Sequence, residues 1–262
     1  MRIVIKVGTS TLAHTGGRLN IRRVELLCKV LSDLKNAGNE LVLVSSGAIG
    51  MGVGKLGLAG RPGDMPGKQA AAAVGQCELM YTYDKLFSEY HHTVAQILLT
   101  ADDIQDDRRS GHVHDTLERL LQWGALPIIN ENDAVATDEI GIQTTIGEND
   151  SLSAIVARLI GADLLVLLSD IDGLYTDDPR KDPDAVLIPV VETITPQILS
   201  LARGAGSSLG SGGMATKLRA AQIVMEAGID MVITNGEHPE LMYDLFEGKR
   251  VGTRFLGKRD KV

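Results

Sequence analysis

Short runs of aliphatic and β-branched residues alternate along the chain with stretches whose apolar positions recur at helical spacing. Ile3–Val7, Leu41–Val44, Val94–Leu99, Leu126–Ile129, Leu164–Leu168 and Met231–Thr234 are predominantly apolar, the pattern of strands buried on both faces. Between the first two, Val24, Leu27, Cys28, Leu31 and Leu34 fall on one helical face, and Gly38 stands where a C-terminal cap belongs. That is a βαβ unit. An Ala-rich helix is predicted over Lys68–Tyr90, a second includes Leu117–Trp123, a third covers Ser151–Ile160 before Gly161, and a fourth covers Met214–Ala227 before Gly228. Ala185–Val191 reads as a strand in a less regular region, with antiparallel pairing left open. Strands alternating with helices predict an α/β fold, a mainly parallel sheet with helices on both faces. No repeat, linker or low-complexity tract interrupts the series, so residues 1–262 are expected to form one domain.

Composition narrows the function classes. A net charge of −8 and a pI near 5.3 argue against a broad electrostatic footprint for nucleic acid or for an anionic membrane surface. The 3% aromatic content leaves little for base stacking. Any anion site must therefore be local. Cys28 and Cys77 are too few for a disulfide framework and read as structural. The opening Met1-Arg2-Ile3-Val4-Ile5-Lys6 has no long apolar leader region, and no later stretch approaches the roughly 20 apolar residues of a membrane span. A cytoplasmic location is expected. His91-His92 and His112-Val113-His114 lack companion ligands for a metal.

In open parallel sheets, ligands bind beyond the carboxyl ends of the strands, so the residues following each apolar run carry the chemistry. The first run ends in Lys6-Val7-Gly8-Thr9-Ser10, an ammonium just before a glycine; this suits a phosphate, and equally a lysine at a strand edge. Ser45-Ser46-Gly47-Ala48 is a small-residue turn whose N–H groups suit an anion. Gly52-Val53-Gly54-Lys55-Leu56-Gly57 matches a dinucleotide fingerprint formally, but it stands several residues after its strand, and a flexible glycine-rich loop is the better expectation. Asn130-Glu131-Asn132-Asp133-Ala134 gathers carboxylates and amides for a small polar substrate, or simply forms a polar turn. Gly147-Glu148-Asn149-Asp150-Ser151 opens a helix with more acidic and amide side chains than capping requires. Ser169-Asp170-Ile171-Asp172-Gly173 suits a nucleotide or Mg²⁺, or a tight turn. Gly210-Ser211-Gly212-Gly213-Met214-Ala215-Thr216-Lys217 is the strongest local signal for phosphate, since helix N–H donors, a hydroxyl and an ammonium converge there, although it is not a Walker A loop.

Taken together, these segments resemble the amino acid kinase family over essentially the whole chain, and within it the members that phosphorylate free glutamate. The resemblance rests on Ile5–Ser10, Ser45–Ile49, Asn130–Ala136, Asn149-Asp150, Gly173–Thr176 and Gly212–Lys217. It implies a three-layer αβα sandwich, ATP and Mg²⁺ as cofactors, and formation of L-glutamyl 5-phosphate from L-glutamate at the start of proline biosynthesis. It also implies proline as feedback inhibitor and a homodimer or homotetramer. Carried over by position, Lys6 and Lys217 contact the transferring phosphate and Asp150 holds both lysines. Ser46, Asp133 and Asn149 hold glutamate. Lys6, Ser169, Asp170, Ser211, Gly212, Gly213, Met214, Ala215, Thr216 and Lys217 line the ATP site; no metal ligand is assigned.

The stretch Asp138–Gly147 is longer than the family pattern, which leaves the loop beside the substrate open. Many members carry a C-terminal PUA domain, whereas this chain ends soon after Gly252-Thr253-Arg254-Phe255, so a short form retaining catalysis is expected. Family members that act on acetylglutamate, aspartate, carbamate or UMP share the phosphate machinery and remain alternatives. A non-catalytic ATP- or amino-acid-binding regulator and a dehydrogenase are the readings from other classes.

Overall fold

The computed structural model describes residues 1–14, 17–135, 149–202 and 213–259. Its strands are β1 (Arg2–Val7), β2 (Glu40–Ser45), β3 (Val94–Leu99), β4 (Leu126–Glu131), β5 (Leu164–Ser169), β6 (Val190–Val191), β7 (Asp230–Asn235) and β8 (Thr253–Phe255). They form one sheet in the order β3-β4-β2-β1-β5-β7-β8-β6, parallel throughout except where β8 runs antiparallel to β7. The six apolar runs are all strands. Ala185–Val191 is the correction: only Val190–Val191 joins the sheet, parallel to β8, and Leu187 makes a single antiparallel bridge to Tyr175. Pro189 has no N–H to offer a ladder, and Val186 remains exposed.

The helices are α1 (Thr9–Leu12), α2 (Ile21–Asn36), α3 (Ala48–Leu56), α4 (Met65–Ser88), α5 (Ala101–Gln105), α6 (Asp107–Gln122), α7 (Asn149–Leu159), α8 (Pro196–Leu201), α9 (Met214–Glu226) and α10 (Leu241–Phe246). They complete a three-layer αβα sandwich with two cores. Ile3, Ile5 and Val7 of β1 pack with Val24, Leu27 and Leu31 of α2 and with Leu79, Tyr83 and Phe87 of α4. Val4 packs on the other side, among Leu152 and Val156 of α7 and Leu218 and Ala221 of α9. Because alternate strand residues point to opposite faces, Lys6 shares the face of Val4 and is directed into the α7–α9 layer. From β1 the chain proceeds to β2 on one side and later returns to β5 on the other. The crevice beyond the carboxyl ends of β1, β2 and β5 is thus a topological switch point.

The glycine-rich segment expected to be a flexible loop is instead helix α3. Gly47, at φ +104°, turns the chain out of β2 into it, a conformation that a side chain disfavours. Gly52 in this helix and Gly75 in α4 serve packing rather than flexibility. A Cβ on Gly52 would lie 1.8 Å from the Ala71 carbonyl oxygen, and one on Gly75 would lie 1.8 Å from that of Ala48. Helices α3 and α4 therefore meet backbone to backbone. Gly75→Ala is expected to cost about 1–3 kcal/mol of stability by overpacking, measured as a fall in the denaturation midpoint; an unchanged midpoint would contradict this contact. Among the described residues no helix is long and apolar enough to cross a membrane.

Candidate active site

Three of the residues singled out in the sequence meet at one carboxylate. Asp150, on the first turn of α7, places Oδ1 2.6 Å from Lys6 Nζ and Oδ2 3.2 Å from Lys217 Nζ. The Thr216 hydroxyl donates to Oδ2 at 2.7 Å. Asp150 is 1% exposed, and the two lysines are buried apart from a small part of each side chain. Burial opposes ionisation of Asp150, but Lys6 and Lys217 outweigh it and hold the carboxyl well below the usual carboxylate range. For Lys6, burial dominates and lowers its pKa; Asp150 opposes that shift and Lys217 adds to it. Two ammonium groups share the Asp150 carboxylate, an arrangement suited to receiving an anion. Gly8 lies beside this cluster: a Cβ there would come within 3.6 Å of Lys6 Nζ.

On one side of this cluster lies a chain of amides. Asn149 Nδ2 donates to Ser46 Oγ at 2.8 Å and to Asn130 Oδ1 at 3.0 Å, and Asn130 Nδ2 donates to Gln76 Oε1 at 2.9 Å. Ser46 follows β2, Asn130 stands near the end of β4, and Asn149 immediately precedes Asp150, so the chain joins two strand ends and a helix start to the lysine cluster. Asp133 lies beyond β4 and is half-buried. Burial raises its carboxyl above the ordinary aspartate value, and Arg61 opposes that shift. No hydrogen bond among the described residues links it to Ser46 or Asn149.

On the other side of the lysine cluster is a cavity of about 260 Å³, whose wall includes Asp170, Tyr175, Arg180, Gly213, Met214, Lys217 and Asn235. Lys217 therefore belongs both to the cavity and to the carboxylate cluster. The N-terminus of α9 opens on this wall at Gly213 and Met214, supplying the positive end of a 13-residue helix. Ser169 Oγ donates to Asp170 Oδ1 at 3.2 Å. Asp172 is held by Asn235 Nδ2 at 2.7 Å and by the Tyr175 hydroxyl at 3.0 Å. Ala215 is exposed on the first turn of α9 and does not line the cavity. Ser211 and Gly212, like the Asp138–Gly147 stretch, lie outside the described residues. Among the described residues no three His, Cys, Asp or Glu side chains are grouped to hold a metal ion.

The amino acid kinase family model matches residues 1–235. This chain belongs to the amino acid kinase family. Among its relatives, a glutamate 5-kinase of Clostridium perfringens is 52% identical over 98% of this chain and 96% of its own. One from Clostridium tetani is 55% identical over 97% of this chain and 93% of its own, and one from Listeria innocua is 52% identical over 99% and 94%. Two solved structures share the fold. An isopentenyl phosphate kinase of T. acidophilum superposes with a TM-score of 0.66 at 20% identity over 97% of this chain and all of that one. A carbamate kinase from Giardia lamblia does so with a TM-score of 0.67 at 19% identity over 98% of each chain. As a member of a kinase family, the chain uses ATP as phosphoryl donor.

Gln76, Arg180 and Asn235 were not among the residues read from the sequence, and Tyr175 was read only as part of the Gly173–Thr176 motif, with no role in the site. Gln76 had one available signal: it is a long polar side chain within an Ala-rich helix, on the stripe that also carries Ala72, Leu79 and Tyr83 into the core.

Proposed function

We propose that this chain phosphorylates the side-chain carboxylate of L-glutamate with ATP, giving L-glutamyl 5-phosphate at the start of proline biosynthesis. The observation that carries the reading is the meeting of Lys6 and Lys217 on the buried carboxylate of Asp150, between the cavity at the N-terminus of α9 and the amides behind Ser46. A glutamate side chain ordinarily titrates near about 4.3, so it is already an anion at neutral pH and needs no general base. The obstacle is charge. Two negative charges at about 4 Å repel by about 4 kcal/mol at an effective dielectric of about 20. Phosphoryl transfer depends mainly on positioning and on neutralising charge across the moving group. Lys6 enters from the sheet and Lys217 from α9, so each neutralises a different side of that group, while Asp150 fixes the spacing of the two ammonium groups.

Mg²⁺ bound with the nucleotide would neutralise phosphate charge, and the exposed carboxylate of Asp170 at the cavity wall, which has the oxygen chemistry this ion prefers, would help to hold it. Ser169 orients that carboxylate, Gly213, Met214 and Lys217 receive phosphate, and Ser46, Asn149 and Asp133 hold glutamate. Residues 1–262 act as one catalytic domain of a cytoplasmic homodimer or homotetramer inhibited by proline; sedimentation and a proline titration test the last two statements.

The decisive assay incubates the protein with Mg-ATP and a panel of acids, trapping acyl phosphate as the hydroxamate. Product with glutamate is expected. Product only with acetylglutamate, aspartate or carbamate would overturn the choice of acceptor, and ATP binding without any acyl phosphate would favour a regulator. Asp133→Ala removes a partner for the substrate ammonium, a charge-assisted bond of about 1.5–3 kcal/mol. The glutamate KM should rise about 10- to 100-fold with turnover little changed; unaltered glutamate saturation would remove Asp133 from the site.

A further inference from the structure

The amide chain behind Ser46 has a direction set by the backbone. The Glu131 N–H donates to Asn130 Oδ1 at 2.9 Å, and a backbone N–H can only donate. This fixes Asn130 Oδ1 as the acceptor, so Asn149 must approach it with Nδ2, as it does at 3.0 Å. The second hydrogen of Asn149 Nδ2 goes to Ser46 Oγ at 2.8 Å. Ser46 is thereby an acceptor within the protein, and its own hydroxyl proton remains to be donated outward. That proton can be given to an acceptor such as a carboxylate oxygen.

At the far end the same logic applies to Gln76. With Asn130 Oδ1 committed as acceptor, Asn130 Nδ2 must find an acceptor in the interior, and Gln76 Oε1 provides it at 2.9 Å. Gln76 is 8% exposed, and its Nε2 is buried without a hydrogen-bond partner among the described residues. An unpartnered buried donor is costly. Through its carboxamide oxygen, Gln76 terminates the chain of amides. Its helix is fixed close to the substrate side by the Gly75 backbone contact with Ala48 and by the Tyr83 hydroxyl 2.9 Å from Ser45 Oγ.

We infer that Gln76 is a positioning residue for the amino acid acceptor: its carboxamide oxygen anchors Asn130, which orients Asn149 and leaves the Ser46 hydroxyl as a donor to a substrate carboxylate. This inference rests on the proposed glutamate kinase activity and touches neither ATP nor the phosphate machinery. Two variants test it in the hydroxamate assay. Gln76→Met keeps the side-chain length and removes the strong acceptor; Gln76→Glu keeps an oxygen acceptor for Asn130 Nδ2. Losing the anchor is expected to raise the glutamate KM about tenfold in Gln76→Met, the equivalent of one hydrogen bond. The ATP KM should stay within about twofold of wild type, and Gln76→Glu should recover most of the glutamate affinity.

An unchanged glutamate KM in Gln76→Met would overturn the inference. So would a parallel rise of both KM values, which marks a merely structural role, or a Gln76→Glu enzyme no better than Gln76→Met. If Gln76→Met does not fold, Gln76→Glu decides alone: a near-wild-type glutamate KM supports the anchor, and a raised one rejects it. Failure of the wild-type protein to form glutamyl hydroxamate would instead reject the activity itself, so the two failures are distinguishable.

Discussion

Lys217→Met is expected to lower the turnover number by about 100- to 1000-fold, the usual cost of removing one preorganised group that stabilises transition-state charge, while glutamate saturation changes by no more than a few-fold. The separation follows from position. Lys217 Nζ stands 3.2 Å from Asp150 Oδ2 and on the wall of the cavity, whereas the hydrogen bonds of the Ser46–Asn149–Asn130 chain run on the other side of Asp150. Methionine fills the buried path of the lysine stem without its charge, so Asp150 keeps Lys6 and the fold is retained. Steady-state kinetics at saturating ATP measure the effect. An unchanged turnover number would remove Lys217 from the chemistry, and an equal loss in turnover and glutamate affinity would mean that it organises the whole pocket.

Asp150→Asn has the largest expected effect on stability. The substitution keeps shape but removes the carboxylate charge that two nearly buried ammonium groups share, and breaking a buried pair in this way costs about 3–5 kcal/mol. Activity should fall with it, because one lysine must move away or lose its proton. The pH dependence provides a second reading. The Asp150 carboxyl is depressed by Lys6 and Lys217 against the effect of burial. Its contribution to wild-type stability is therefore complete above the unfolded aspartate value of about 3.9 and is lost as pH falls through the depressed folded value. Asp150→Asn should lack that part of the acid loss. Its deficit should also shrink at alkaline pH, where Lys6, lowered chiefly by burial, gives up its proton. Thermal denaturation across pH tests both statements, and a variant that melts with wild type at neutral pH would contradict them.

Lys6 was visible in the sequence because an ammonium interrupts an otherwise apolar strand, and Lys217 because it follows glycines at a helix start. Their strands and helix were equally plain, since buried parallel strands are apolar on both faces. Their common partner, Asp150, followed from the family resemblance and not from the residue pattern itself, because the bond from each lysine depends on β1 lying beside β5 with α7 and α9 packed over both. Helix α3 was hidden for the opposite reason. Its glycines look like freedom in one dimension and are close packing in three, with the Ala71 carbonyl where a side chain on Gly52 would be. Gln76 escaped notice because helical periodicity assigns it to the core, and only the direction of the Glu131 N–H makes its oxygen functionally specific.

Whether Lys6 and Lys217 act on one phosphoryl group is decided by turnover numbers for Lys6→Met, Lys217→Met and the double variant under saturating Mg-ATP and glutamate. Groups acting as a unit are non-additive, so the second substitution should cost far less in the double variant than it costs alone. Losses that multiply in full would place the two ammonium groups in separate tasks and contradict the shared role proposed for them around the γ-phosphate.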